Sequence, residues 1–208
     1  MNNATLNALL SSASNEWGTP SIYVEAARLV MGGIDLDPAS CEKANRTVQA
    51  IRYFTEAQNG LAHSWRTATG TPSRVWCNPP YGTHRNKSNQ GIWIRRLIHD
   101  YEAGDIAQAI ILSNAATDTR WFHQLFAYPI CFTEGRINYF SLTHHTDTAM
   151  SRPEKSQNTH GSAFTYLGTR QSQFIDVFSQ FGTIICRVSA APSAQSLTDE
   201  LWKCGGAA

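Results

Sequence analysis

The most constraining feature of the sequence is a short apolar run, Val75 to Cys77, that ends abruptly in the segment 78–82, Asn-Pro-Pro-Tyr-Gly. β-Branched and aromatic residues in such a run predict a buried strand of a parallel sheet. Two successive prolines then stop the strand, because neither can donate a backbone hydrogen bond and both hold φ at about −65°. The pattern predicts a rigid loop at the carboxyl end of a strand, where open α/β sheets bind their ligands.

This loop presents groups that suit a planar exocyclic amine. The Asn78 amide and a proline carbonyl together accept two hydrogen bonds, which would hold both N–H groups of the amine and free its lone pair to attack. Tyr81 can stack on a base that has been taken out of its duplex. The alternative is a proline-rich turn after a strand, but the Asn before the prolines and the Tyr after them favour a binding site.

In these four residues the chain resembles the amino-methyltransferases, whose signature is Asn-Pro-Pro-Tyr or Asp-Pro-Pro-Tyr. The resemblance implies S-adenosylmethionine as cofactor and a catalytic loop made of Asn78, Pro79, Pro80 and Tyr81, with Asn78 also touching the cofactor. Such enzymes methylate adenine N6, cytosine N4 or a glutamine side-chain nitrogen. The loop therefore indicates the chemistry and leaves the substrate open.

Length and composition predict one domain. With 208 residues, of which 42% are apolar, the chain can bury one core. We expect a flexible arm at 1–14, a methyltransferase domain at 15–188 and a tail at 189–208. A formal charge of +1 means that any nucleic-acid contact must use local patches.

Cysteine usage and hydropathy predict the compartment. Five scattered cysteines without a Cys-x-x-Cys pair favour reduced thiols over disulfides or a metal site. The chain has no apolar run of membrane-spanning length and no signal-peptide pattern at its start. We therefore expect a cytoplasmic protein that binds neither metal nor membrane.

The segment 17–20, Trp-Gly-Thr-Pro, precedes a predicted helix. We expect Thr19 to cap this helix and Pro20 to take its first position, because apolar residues then recur at helical spacing until a pair of glycines. In amino-methyltransferases whose cofactor site precedes the catalytic loop, this segment helps to hold the methionine end of the cofactor. The resemblance implies that role for Trp17, Thr19 and Pro20.

A brief strand ends in Asp37, Pro38 and Ala39, where the first βα turn of the sheet is expected. This turn lacks the glycine-rich loop that nucleotide sites usually have. It is similar to the acid-Pro-Ala form of the methyltransferase cofactor motif, in which the carboxylate receives the methionine ammonium or orders water around it. Asp35 is an equal candidate for that carboxylate, and a surface turn is the alternative.

The next candidates follow a second predicted strand, Val48 to Phe54. Glu56 comes just after it, where acids take ribose hydroxyls in this architecture. Asn59 and Leu61 flank a glycine at the place where the family has Asp-Gly-Leu or Asp-Phe, so the resemblance implies that they hold the adenine of the cofactor. A simple Asn-Gly turn is an equally good account.

The rest of the chain alternates helices and strands. The predicted elements are a helix from Ile92 to Gly104, a strand from Ile106 to Ser113, a helix capped by Asp118, strands at 129–132, 137–140 and 161–167, a helix at 174–181 and a strand at 183–188. This alternation predicts an α/β fold. We expect a single-domain Rossmann-like methyltransferase fold, with a mostly parallel seven-stranded sheet and helices on both faces.

In order and content the motifs resemble those of the Dam-type DNA N6-adenine methyltransferases of phages and prophages, over roughly residues 15–167. The resemblance implies methyl transfer from S-adenosylmethionine to adenine N6 in double-stranded DNA, in a bacterial or phage-infected cell. The alternatives are the same fold methylating cytosine N4, RNA or a protein glutamine, and a catalytically silent nucleic-acid-binding protein. The intact Asn78 and Tyr81 argue against the silent protein.

Two polar segments, 83–91 and 141–160, are the expected DNA contacts. The chain has no room for a separate recognition domain, and polar loops beside a catalytic strand can reach a duplex. A late Gly-Arg-Ile-x-x-Phe stretch resembles a family motif and adds one more candidate. The candidate phosphate ligands are Arg85, Lys87, Arg136, Arg152 and Lys155.

Overall fold

The computed structural model describes residues 17–84, 87–141 and 160–188, without the side chains of Trp17, His84, Lys87 and Ser141. The arm and the tail predicted from composition lie outside these ranges, as does most of the polar segment 141–160.

The described chain alternates strands and helices along most of its length. Its strands are β1 (Trp17–Gly18), β2 (Leu36–Asp37), β3 (Arg52–Tyr53), β4 (Ser73–Cys77), β5 (Thr83–His84), β6 (Lys87–Ser88), β7 (Ile106–Asn114), β8 (Ile130–Thr133), β9 (Phe140–Ser141), β10 (Ser162–Leu167) and β11 (Gly182–Ile185). Its α-helices are α1 (Ser21–Met31), α2 (Glu42–Val48), α3 (Asn89–Glu102), α4 (Arg120–His123) and α5 (Gln171–Phe178). Short 3₁₀ turns occupy Glu56–Gln58, Gly60–Ala62, Gln124–Ala127 and Ser179–Phe181.

Seven of the strands form one sheet in the order β11-β8-β10-β7-β4-β2-β3. Strands β3, β2, β4 and β7 are mutually parallel. Strand β10 is antiparallel to both of its neighbours, and β11 is antiparallel to β8. The α/β class and the single seven-stranded sheet are thus confirmed, but the prediction of a mostly parallel sheet is wrong, because half of the sheet pairs antiparallel.

Helices cover both faces of this sheet. Alternate residues of a strand point to opposite faces, and the two apolar clusters follow that rule. Trp76 and Ile110 face a cluster that includes residues of α1 and α5. Val75 and Ile111 face a second cluster, which includes residues of α3 and α4. The central strands β4, β7 and β10 are therefore mostly buried, whereas the edge strands β3 and β11 are only partly covered.

Several element boundaries differ from those predicted. Pro20, not Thr19, is the N-cap residue of α1, and no side chain caps this end of the helix. The predicted strand 48–54 shrinks to β3, because helix α2 continues through Val48. Thr119 rather than Asp118 caps α4, accepting a hydrogen bond from the backbone of Phe122. Polar cap residues compete for such positions, and the local sequence does not decide among neighbours.

No helix in the described part of the chain has the length and hydropathy that a membrane crossing requires.

An ion pair ties β2 and β4 together near their amino ends. The Arg74 side chain donates to both carboxylate oxygens of Asp35, with Nη2 2.7 Å from Oδ1 and Nε 2.8 Å from Oδ2. The Arg74 backbone N–H also donates to Oδ2, at 2.8 Å. These hydrogen bonds from Arg74 hold the pKa of Asp35 below its usual value. Asp35 therefore makes a structural contact at the amino edge of the sheet, opposite to the carboxyl ends of the strands, and its role in cofactor binding stays a prediction.

Replacing Asp35 by Asn should lower the free energy of unfolding at pH 7 by about 1–3 kcal/mol, because a half-buried Arg74 loses its charged partner. The folded pKa of Asp35 is lowered, so its stabilising contribution is present above the unfolded pKa and is lost as the pH falls through the folded value. Urea unfolding should thus show a gap between variant and wild type that narrows from pH 7 to pH 3. Glu42→Gln, in an exposed ion pair with Arg46, is the control and should change stability little.

Candidate functional site

The candidate site lies between β2 and β4, where successive strands begin to be added on the opposite side of the sheet. From β2 the chain passes to β3 on one side of β4, and from β4 it passes through α3 to β7 on the other side. The crevice between the carboxyl ends of β2 and β4 is the place where open α/β sheets bind ligands. Asp37 ends β2 and Asn78 follows the last residue of β4. The topology thus brings together the two motifs that the sequence singled out.

The Asn78 amide is held on one side and free on the other. Its Nδ2 donates a hydrogen bond to Thr19 Oγ1, at 3.2 Å. Its Oδ1 is buried and has no hydrogen-bond partner among the described residues. Thr19 is itself buried, so its hydroxyl orients Asn78 instead of capping α1. The arrangement leaves one buried amide oxygen without a donor directly after the carboxyl end of β4.

Strand β1 brings Thr19 to this position. It pairs with β9, and the pairing sets Gly18 opposite Phe140. A Cβ on Gly18 would lie 2.2 Å from the Phe140 ring, so a larger residue there would force that ring to move. Pro20 follows in a half-buried position at the start of α1. Of Trp17 only the backbone is described, and it pairs with Ser141.

Tyr81 is anchored by a second tyrosine. The hydroxyl oxygens of Tyr81 and Tyr139 lie 3.0 Å apart, and their rings meet edge to face with centroids 6.3 Å apart. Burial, and then the neighbouring Tyr139, raises the pKa of Tyr81 well above its usual value. The Tyr81 backbone carbonyl accepts a hydrogen bond from Asn89 Nδ2, at 3.0 Å. Tyr81 is therefore a neutral, fixed side chain, and Tyr139 is a site residue that the sequence did not reveal.

The two prolines of the loop differ in exposure. Pro79 is buried and Pro80 is exposed. Pro79 therefore packs at the base of the loop while Pro80 faces outward, and the chain between Asn78 and Tyr81 has little conformational freedom because both residues hold a fixed φ.

Asp37 is a buried carboxylate. It is 2% exposed, and its Oδ1 accepts a hydrogen bond from the Ala39 backbone at 3.2 Å. Burial raises the pKa of Asp37 to about 7, and this effect outweighs the lowering effect of the hydrogen bond from the Ala39 backbone. Burial, and then the neighbouring Asp37, raises the pKa of Cys77 well above its usual value. The register sets Leu36 opposite Val75, so Asp37 lies beside the end of β4. A cation that entered the crevice would favour the ionised form of Asp37.

The loop after Asp37 makes a close contact with the turn that carries Asn59 and Leu61. A Cβ on Gly60 would lie 1.9 Å from the Pro38 carbonyl oxygen, so glycine is required there. Asn59 is exposed and has a left-handed backbone, with φ 53°. Both segments predicted to hold the cofactor are therefore adjacent. Glu56 lies nearby in the chain, exposed in the preceding turn just after β3.

Arg96 of α3 donates hydrogen bonds to the turn that contains Leu61. Its Nη1 donates to the Leu61 carbonyl at 2.8 Å and its Nη2 to the His63 carbonyl at 2.9 Å. Its Nε pairs with the buried Asp100 at 2.7 Å, and its guanidinium lies 5.2 Å from the ring centroid of Trp65. Sequence reasoning missed Arg96, and nothing in its helical spacing indicated that it contacts a turn more than thirty residues earlier.

Most of the residues predicted to contact DNA lie outside the part of the chain that the structure describes. Arg85, Arg152 and Lys155 lie outside the described residues, and of Lys87 only the backbone is described, in β6. Arg136 is described and exposed, in the loop between β8 and β9 that leads to Tyr139. Within the described ranges, no group of three or more His, Cys, Asp or Glu side chains is arranged to hold a metal ion.

Comparison with known protein families supplies a match over most of the chain. The family model described as DNA N-6-adenine-methyltransferase (Dam) matches residues 7–185 of the 208 residues. No curated protein matches the chain at a significant level.

Replacing Asp37 by Asn should stabilise the free protein at pH 8 by roughly 2–4 kcal/mol, because a buried charge is removed. The folded pKa of Asp37 is raised to about 7. The buried Asp37 therefore costs no stability below its unfolded pKa, where it is protonated in both states, and it lowers the free energy of unfolding progressively as the pH rises through 7. Urea unfolding should show a gain that is small at pH 4 and grows up to about pH 7. Glu56→Gln, at an exposed acid, should show no such trend, and a destabilised Asp37→Asn at pH 8 would contradict the assignment.

Proposed function

The chain belongs to the DNA N-6-adenine-methyltransferase (Dam) family, and we propose from this premise that it transfers a methyl group from S-adenosylmethionine to N6 of adenine in double-stranded DNA. The observation that carries the proposal is the state of the Asn78 amide. Its nitrogen is engaged with Thr19, whereas its oxygen is buried and unpaired among the described residues. A buried acceptor without a donor costs roughly 1–3 kcal/mol, and an exocyclic amine is a donor of the right kind.

The charge of Asp37 would complement the positive charge of S-adenosylmethionine. Asp37 is buried, and no ion pair to it occurs among the described residues. The methionine ammonium of the cofactor would supply the missing cation and hold Asp37 ionised. We propose that Pro38 and Ala39 line the same turn, and that the segment with Trp17, Thr19 and Pro20 covers the methionine end.

The adenosine end would lie at the neighbouring turns. We propose that Glu56 takes the ribose hydroxyls and that Asn59 and Leu61 hold the adenine ring. The close packing of Gly60 on the Pro38 carbonyl supports this assignment, because it makes one continuous wall of the two cofactor segments. Exposure of Glu56 and Asn59 leaves both side chains accessible to a ligand.

We further propose that the sheet is the Rossmann-like sheet of the methyltransferases, with residues 15–188 as the catalytic domain. The parallel half of the sheet, β3-β2-β4-β7, supports this view, because it carries both the cofactor turn and the catalytic loop at one edge.

The protein's contribution to the reaction is positioning. The cofactor supplies a methyl group on a sulfonium, which is already a good electrophile. Asn78 Oδ1 and the Pro79 carbonyl would accept the two N–H groups of the adenine amine, drawing the nitrogen toward tetrahedral geometry and freeing its lone pair. Tyr81, fixed by Tyr139, would stack on the flipped base. Pro80 would keep the loop in the conformation that aligns these groups.

Purified protein should transfer labelled methyl from S-adenosylmethionine to unmethylated duplex DNA, and digestion of that DNA should yield N6-methyladenine. If the product is only N4-methylcytosine, or if the label appears only in RNA or in a protein glutamine, that molecule and not adenine is the substrate. Absence of both label and cofactor binding would favour a catalytically silent nucleic-acid-binding protein.

Asn78→Ala should abolish turnover and leave the dissociation constant of the cofactor nearly unchanged, because it removes an acceptor for the amine and leaves the Asp37 turn intact. Asn78→Asp is the matched variant: it keeps an acceptor at the same place and should retain measurable activity. Tyr81→Ala should weaken base insertion by roughly 1–3 kcal/mol, the usual effect of one stacking contact. Calorimetry and the methylation assay measure the two effects, and a fully active Asn78→Ala would refute the catalytic assignment.

We propose that DNA is contacted through Arg136 and through Arg85, Lys87, Arg152 and Lys155. Arg136 lies three residues before Tyr139, whose hydroxyl contacts that of Tyr81, and this position supports its inclusion. Arg136→Ala should lower the slope of log affinity against log salt by about 0.9, as expected for one lost phosphate contact. Quadruple replacement of the other four should lower it further. Arg46→Ala removes an exposed charge from α2 and should leave the slope unchanged; an unchanged slope in the Arg136 variant as well would remove Arg136 from the interface.

A further inference from the structure

The turn at residues 59–63, part of which we propose to hold the adenine of the cofactor, is fixed from the side of helix α3. Arg96 Nη1 donates a hydrogen bond to the Leu61 carbonyl at 2.8 Å, and Arg96 Nη2 donates one to the His63 carbonyl at 2.9 Å. Because the two carbonyls are two residues apart, the two ends of one planar guanidinium span much of the turn. One side chain of α3 therefore restrains the backbone of this turn.

Arg96 is itself held in one orientation. Its Nε pairs with Asp100, one helical turn later, at 2.7 Å, and Asp100 is buried. Its guanidinium carbon lies 5.2 Å from the ring centroid of Trp65, which is fully buried. The Trp65 indole N–H in turn donates to the Gly60 carbonyl at 2.8 Å. Each of the three guanidinium nitrogens thus has a different partner, an arrangement that the single ammonium of lysine cannot reproduce.

The turn also contacts the loop that follows Asp37. A Cβ on Gly60 would lie 1.9 Å from the Pro38 carbonyl oxygen, so the two backbones are in direct contact there. Asn59, at the start of the turn, has a left-handed backbone with φ 53°, a conformation that surrounding contacts must sustain. The turn is therefore packed against the Asp37 loop while α3 holds its carbonyls, and without the hydrogen bonds from α3 it would be free to move away from that loop.

We infer that Arg96 is a positioning residue for S-adenosylmethionine: it holds the 59–63 turn against the Asp37 loop and so keeps the adenine and methionine ends of the cofactor site at a fixed separation. The inference rests on the proposed function and deepens it. Arg96 acts through the backbone of the turn and not on the reacting atoms. Its loss should weaken cofactor binding, because a mobile turn must be ordered when the ligand binds, and should leave the methyl-transfer step unchanged once the cofactor is bound.

Arg96→Lys is the direct test, because it keeps a cation beside the buried Asp100 and removes the paired donors to the turn. Arg66→Lys is the matched control. Arg66 also joins a carboxylate to a backbone carbonyl, with Nη2 paired to Asp105 and Nη1 donating to the Gly70 carbonyl at 2.8 Å. This contact lies beside the first residues of β4 and β7, at the amino edge of the sheet and away from the proposed cofactor site.

Asp100→Asn is a second test, made from the other end of the same contact. It removes the charge that holds Arg96 Nε and keeps both donors to the turn. It should raise the dissociation constant of the cofactor in the same direction as Arg96→Lys but less, by about threefold, because the two residues act through one contact. This variant decides the matter if Arg96→Lys does not fold.

The test measures three quantities for each full-length variant. They are the dissociation constant of S-adenosylhomocysteine, the cofactor after loss of its methyl group, by calorimetry; KM for S-adenosylmethionine and kcat on unmethylated duplex DNA; and the melting temperature. Arg96→Lys should raise the dissociation constant and KM roughly tenfold, the effect of about one lost hydrogen bond, with kcat at saturating cofactor within about twofold of wild type. Arg66→Lys should leave all three constants unchanged, including where its melting temperature falls as far as that of Arg96→Lys.

The failures are distinguishable. A wild-type protein that neither binds S-adenosylhomocysteine nor methylates DNA would overturn the proposed function and this inference with it. A wild type that binds S-adenosylhomocysteine but methylates no DNA would overturn the proposed substrate alone, and calorimetry would then decide the role of Arg96.

Two further results would overturn the inference alone. One is a folded Arg96→Lys variant that binds S-adenosylhomocysteine as tightly as wild type, whether or not its kcat falls. The other is an equal rise of the dissociation constant in Arg66→Lys, which would show a general loss of structure in place of a specific effect on the 59–63 turn.

Discussion

The parallel pairing of β4 with β2 on one side and with β7 on the other is the constraint on which the rest of the structure depends. Parallel neighbours end at the same edge of a sheet, so residues distant in sequence become neighbours there. Asp37, Asn78 and Asn114 each stand at or just past the end of one of these strands. The two predicted motifs of the candidate site, at Asp37 and Asn78, meet at that shared edge.

Helix α3 links the two halves of the site. At its first residue Asn89 holds the Tyr81 carbonyl, and at its second Gln90 holds the end of β7. Two turns later Arg96 holds the carbonyls of the turn after Asn59. One helix thus contacts the proposed catalytic loop, the adjoining strand and the proposed cofactor turn, and it ties them to one rigid element. Such preorganisation would favour the proposed reaction, in which the protein acts mainly by positioning.

The two edges of the sheet treat polar groups in opposite ways. At the amino edge Arg74 saturates Asp35, and the pKa of that carboxyl is lowered. Two residues later Asp37 is buried without such a partner, and its pKa is raised to about 7. The amino edge thus contributes stability, whereas the carboxyl edge keeps acceptors unpaired at a cost in stability. A binding site retains such groups because the ligand completes them.

The local sequence determined the apolar strand before the prolines and the alternation of helices and strands, and with it the α/β class. Burial and backbone stiffness depend on the types and spacing of neighbouring residues, so they can be read from the sequence. The same reading selected Asn78, Tyr81 and Asp37. It could not determine the antiparallel half of the sheet, since an apolar strand looks alike in either direction. It also could not separate Asp35 from Asp37, or show that Thr19 orients Asn78 instead of capping a helix. Those choices depend on hydrogen bonds and ion pairs between residues 39 and 59 positions apart, which only the tertiary structure brings together.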